Sequence, residues 1–87
     1  MFKLFGENLR EERKKQKLTV FEIALISEVS RSYITLIENG KRLPGKKVLP
    51  KIAVALHLKT STVLNWYLED IRQKLKKGIH QPDKNAK

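Results

Sequence analysis

The 87-residue chain has no cysteine. That removes disulfide cross-links, thiol nucleophiles and cysteine-ligated zinc. The two histidines, His57 and His80, lie far apart in sequence, and no metal or cofactor is expected. Aromatic residues number six, most of them needed for a small core, so a stacking platform for single strands is disfavoured. Glycine occurs four times and forms no phosphate-cradling loop. Carboxylates are not clustered, and no nucleophile has a base nearby, so an enzyme is not expected. The best apolar runs, residues 23–26 and 52–56, are far short of the roughly 20 residues a spanning helix needs. The start, Met1-Phe2-Lys3-Leu4-Phe5, is followed at once by Gly6-Glu7-Asn8 and has no signal-peptide core. A cytoplasmic protein with no membrane partner is the expectation.

Negative charge is also scarce. Nine acidic side chains face 19 basic ones, a formal net charge of +10. Residues 1–77 alone hold 17 basic and 8 acidic groups, so the excess is not confined to a tail. On a surface this small it implies a polyanion partner. Hydrophobic residues are 40% of the chain, enough for one modest core and one domain.

The apolar spacing predicts five short helices and no strand. The first covers residues 5–16, with Phe5, Leu9 and Arg13 on one face. Thr19-Val20-Phe21-Glu22 reads as a capping box opening a second helix over 20–26, with Ile23 and Ala24 inward. Ser27-Glu28-Val29 is a break. Ser30 is a good N-cap for a third helix over 31–38, with Ile34 and Ile37 buried. Asn39-Gly40 ends it, because a helix end favours a left-handed residue. Residues 41–47 form a loop with a Pro44-Gly45 turn and four basic side chains, Lys41, Arg42, Lys46 and Lys47. A fourth helix over 48–57 tolerates Pro50 in its first turn. A fifth, capped by Thr60 or Ser61, runs to Lys77 and stops at Gly78. Residues 78–87 read as a loose polar tail beyond the domain at 1–77.

The second and third helices are too short to fold alone. Joined by a three-residue turn and supported by the others, they form a helix-turn-helix. That arrangement sets the third helix proud of the body, where it fits a DNA major groove.

The run Leu9-Arg10-x-x-Arg13, Leu18-Thr19-x-x-Glu22-Ile23-Ala24, Val29-Ser30-Arg31-Ser32-Tyr33-Ile34, Ile37-Glu38-Asn39-Gly40-Lys41-Arg42-x-Pro44 and Leu49 through Ala55-Leu56 resembles the Cro/phage-repressor-type (xenobiotic response element) helix-turn-helix family. The resemblance covers about residues 5–64. It implies an all-α, five-helix, repressor-like DNA-binding domain, here with an extended C-terminal helix. It places Arg31, Ser32, Thr35 and Leu36 at base-facing positions, with Tyr33 beside them facing DNA or packing on the domain. Ser30 caps the reading helix, within reach of phosphate. Asn39, Lys41 and Arg42 fall where the family touches phosphate. Arg13 and Glu38 match a largely buried ion pair. Three positions depart from the family. Val20 replaces a phosphate-binding Gln, and Glu28 and His57 stand where Gly is frequent. A left-handed Glu28 would be strained by about 1 kcal/mol.

The residue chemistry agrees. Arg31 can donate twice to guanine, worth about 1–3 kcal/mol of discrimination. Ser32 and Thr35 can bond either kind of base edge, and Leu36 can meet a thymine methyl. Contacts from 39–42 position without reading sequence.

On the fifth helix Leu64, Leu68, Ile71 and Leu75 are spaced 4, 3, 4, like a coiled-coil seam. The expected homodimer interface is this stripe with Trp66 at its rim or inside it, while Val63 and Tyr67 serve the domain body. The function expected is a double-stranded-DNA-binding transcriptional regulator, a repressor on a palindromic operator, with no small-molecule ligand. The alternative is an antitoxin-type interaction protein that also binds DNA, although residues 78–87 look short and polar for a toxin-holding segment.

Overall fold

A computed structural model of the chain describes residues 3–79. Five helices follow in order: α1 Phe5–Lys15, α2 Val20–Ser27, α3 Arg31–Glu38, α4 Leu49–Ala55 and α5 Thr60–Ile79. No strand occurs among the described residues. No described helix is long and apolar enough to cross a membrane. The tail at 80–87 lies outside the described residues.

The core is a single apolar cluster to which every helix contributes. Phe5 and Leu9 of α1, Ile23 of α2, Ile34 and Ile37 of α3, Ile52 of α4 and Val63 of α5 are all fully buried. Each of these side chains, moved from water to the core, contributes on the order of 1.5–3 kcal/mol. That drive overrides the weak intrinsic stability of seven- and eight-residue helices.

Side-chain caps start two of the helices. The Thr19 hydroxyl accepts from the Glu22 amide at 3.0 Å, and the Glu22 carboxylate accepts from the Thr19 amide at 2.8 Å. Ser30 accepts from the Tyr33 amide at 3.0 Å.

The helix ends share one device. The α1 to α4 ends each carry a left-handed residue: Lys17, Glu28, Gly40 and His57. The amide of the next residue reaches back to a carbonyl five residues earlier. Leu18 bonds Arg13, Val29 bonds Ala24, Lys41 bonds Leu36 and Leu58 bonds Ala53, all at 2.9–3.0 Å. Leu18, Val29 and Leu58 then pack against the core, the apolar contact that accompanies such ends. Glu28 and His57 therefore do adopt the conformation that glycine favours, at φ 60° and 57°.

Several boundaries differ from the sequence reading: α1 ends at Lys15, α4 is trimmed at both ends to Leu49–Ala55, and α5 already includes Thr60, so neither Thr60 nor Ser61 is its cap. Helix α2 takes in Ser27, so the turn before α3 is Glu28-Val29-Ser30. Helix α5 does not stop at Gly78 but continues to Ile79. A glycine inside a helix costs about 1 kcal/mol relative to alanine, but it keeps its N–H and breaks no backbone hydrogen bond.

Candidate nucleic-acid interface

Helix α3 divides lengthwise. Ile34, Ile37 and Glu38 are buried and Tyr33 is half-buried, while Arg31, Ser32, Thr35, Leu36 and Asn39 are exposed. Residues at i, i+1, i+4, i+5 and i+8 share one side of an α-helix. The side chains expected to meet bases thus form a continuous outward face. Leu36, 39% exposed, gives that face an apolar patch.

The base of α3 is held by charge. The Arg13 guanidinium donates to both Glu38 oxygens, at 2.7 and 3.0 Å, and to the Leu18 carbonyl at 2.9 Å. Both side chains of the pair are largely withdrawn from water. The Glu38 hydrogen bond raises the Arg13 pKa above its ordinary value, against the opposing effect of burial.

Arg10, which sequence reasoning left out of the site, joins the same cluster. It contacts Glu38 at 3.4 Å and donates to the Asn39 side-chain oxygen at 2.9 Å. That bond fixes the Asn39 amide with its oxygen toward Arg10, so its other end is the NH₂ donor. The signal was present: Arg10 and Arg13 are i, i+3 neighbours on one helix face.

Beyond α3, Lys41, Arg42, Lys46 and Lys47 are exposed. Pro44 between them is fully buried and anchors the loop. The Gly45 amide donates to the Tyr33 hydroxyl at 3.0 Å. The Arg42 guanidinium lies over the Tyr33 ring, 4.8 Å from its centre. Arg31, at the other end of α3, lies over the Phe21 ring at 5.5 Å. Val20 packs against the core, so it offers no polar group where the family has Gln.

The expected interface residues on α5 are placed differently from one another. Leu64, Leu68 and Leu75 are exposed, at 39%, 51% and 61%. Ile71 is half-buried. Trp66 packs edge-on against Phe5, ring centres 5.9 Å apart, and so belongs in part to the domain's own core. Sequence reasoning missed Asp70. It is buried at 2% exposure, accepts from the Phe5 amide at 2.8 Å and pairs with Lys74 at 2.8 Å. Its position on the stripe of Val63 and Trp66, at helical spacing, was the available clue. No group of side chains suited to a metal ion occurs among the described residues.

A helix-turn-helix family model matches residues 9–63. The HTH-type transcriptional repressor RghR of Bacillus subtilis is 39% identical over 72 residues, covering 79% of this chain and 53% of that protein. The chain spans about 40–60% of the length of the first curated relatives it matches. Among solved structures, the restriction-modification controller protein C.AhdI from Aeromonas hydrophila is 32% identical. It superimposes with a TM-score of 0.64 over 68% of this chain and 89% of that one. The DNA-binding domain of the P22 c2 repressor is 26% identical, with a TM-score of 0.68 over 74% of this chain and 84% of that one. By sequence and by fold, the chain belongs to the Cro/phage-repressor-type helix-turn-helix family of transcriptional regulators.

Proposed function

We propose that the protein is a sequence-specific, double-stranded-DNA-binding repressor that acts in the cytoplasm as a homodimer on a palindromic operator. The carrying observation is the outward face of α3, where Arg31, Ser32, Thr35 and Leu36 stand exposed together. In a major groove, Arg31 reads guanine, Ser32 and Thr35 bond base edges, and Leu36 meets a thymine methyl. Asn39, Lys41 and Arg42 hold the backbone, and the α3 N-cap at Ser30 lies alongside it. The excess of ten positive charges draws the protein to DNA irrespective of sequence.

Dimerisation uses the outer half of α5. Leu64, Leu68 and Leu75 would otherwise leave an apolar stripe in water, and Ile71 continues it. Two copies related by a twofold axis present their α3 helices to successive major grooves, about 34 Å apart.

Footprinting on the DNA upstream of the protein's own gene, at two salt concentrations, tests this reading. A short protected palindrome at both salts is expected. Equal affinity for unrelated sequences would overturn it. Arg31→Ala should erase discrimination at one base pair. Arg42→Ala should weaken binding evenly across sequences and lower the salt slope by about 0.9 per subunit, hence about 1.8 for the dimer.

A further inference from the structure

We infer that Tyr33 acts as a positioning residue that fixes the 41–47 loop and its Arg42 against α3, and does not itself read a base. The inference rests on the DNA-binding reading above and assigns a distinct role within it. Tyr33 sits at the boundary of the two faces of α3, half-buried, one residue from the exposed Ser32 and one from the buried Ile34. Its hydroxyl oxygen and its ring face both already hold the loop, leaving the O–H proton as its one remaining donor. The hydroxyl accepts from the Gly45 amide at 3.0 Å. The ring face carries the Arg42 guanidinium at 4.8 Å, within the range of a cation–π contact.

These contacts act on the loop at two points. Pro44, between them, is fully buried. Arg42 and Gly45 are thus held on either side of a buried anchor, both by one side chain of the reading helix. A long arginine free in solvent loses rotamer entropy when it closes on a phosphate. An arginine already lying on an aromatic ring has lost part of that freedom beforehand. Tyr33 in this way ties the backbone-clamping arm to the helix that reads the bases, so that the two dock in one fixed register.

The roles separate experimentally. A base-reading Tyr33 makes its substitution alter discrimination at one base pair. A positioning Tyr33 makes it weaken binding by the same factor on every sequence. The test uses the full chain with Tyr33→Phe and Tyr33→Leu. Binding is measured on the footprinted duplex, on single-base variants of it and on an unrelated duplex. Amide exchange of Gly45 is followed in the free protein. Tyr33→Phe keeps the ring and removes the hydroxyl, so Gly45 exchange should accelerate while most of the affinity is retained. Tyr33→Leu should lose about two- to fivefold in affinity on every duplex. In an Arg42→Ala background the same change should cause little further loss, a non-additivity that general destabilisation does not produce. Loss confined to one base pair, unchanged Gly45 exchange in Tyr33→Phe, or full additivity with Arg42→Ala would each overturn the inference while leaving the DNA-binding reading intact. A wild-type protein that binds no duplex would overturn both.

Discussion

Gly6 of α1 passes directly against the Ile37 carbonyl of α3: a β-carbon built on Gly6 would lie 2.0 Å from that oxygen. The obstacle is backbone, so no side-chain rotation relieves it. Gly6→Ala must push α1 away from α3 and should destabilise the domain by about 1–3 kcal/mol or more, as overpacking does. Urea unfolding measures the loss. Wild-type stability in the variant would contradict the closeness of this crossing.

The Arg13–Glu38 pair should matter more when broken than when replaced. Arg13→Met leaves the buried Glu38 with only the more exposed and more distant Arg10 as its ion-pair partner and should cost up to about 3 kcal/mol. The double variant Arg13→Met, Glu38→Leu should recover much of that loss, because no uncompensated charge stays buried. Denaturant midpoints of both variants check the order.

His57 holds a left-handed backbone at the end of α4. His57→Gly should raise stability by roughly 0.5–1 kcal/mol, the strain relieved less the extra freedom of the unfolded chain. Its side chain is exposed, so little packing is lost. A lower melting temperature would contradict the assignment.

Leu68→Lys and Leu75→Lys alter exposed positions on α5 and should leave the melting of the domain nearly unchanged. Sedimentation should show wild-type dimers and variant monomers at the same concentration. Affinity for a full palindrome should fall, while affinity for a single half-site should not.

What the sequence made legible follows from where chemistry is local. The caps at Thr19 and Ser30 were readable because a hydroxyl and an amide three residues apart interact along the chain. The face of α3 was readable because helical spacing sorts 31, 32, 35 and 36 from 34 and 37. Helical spacing hinted that Asp70 lies inward, but its partner, the Phe5 amide, is 65 residues away and carried no local signal. Arg10 shares a legible face with Arg13, but its second partner, Asn39, becomes its neighbour only when α1 crosses α3. The left-handed end at Lys17 carried no glycine to announce it. Trp66 fell between two roles, since an aromatic on a stripe serves its own core and a partner's surface equally well.

The Asp70–Phe5 hydrogen bond has a consequence for operator geometry. It ties the middle of α5 to the first residue of α1, and Gly6, next along, abuts α3. In the proposed dimer this short train of contacts leaves little slack between one subunit's groove-reading element and its mate's. Adding one base pair between half-sites turns them about 35° out of rotational phase and shifts them by about 3.4 Å. A stiff train cannot absorb that turn, so sites with a lengthened spacer should be rejected even when every base within each half-site is correct.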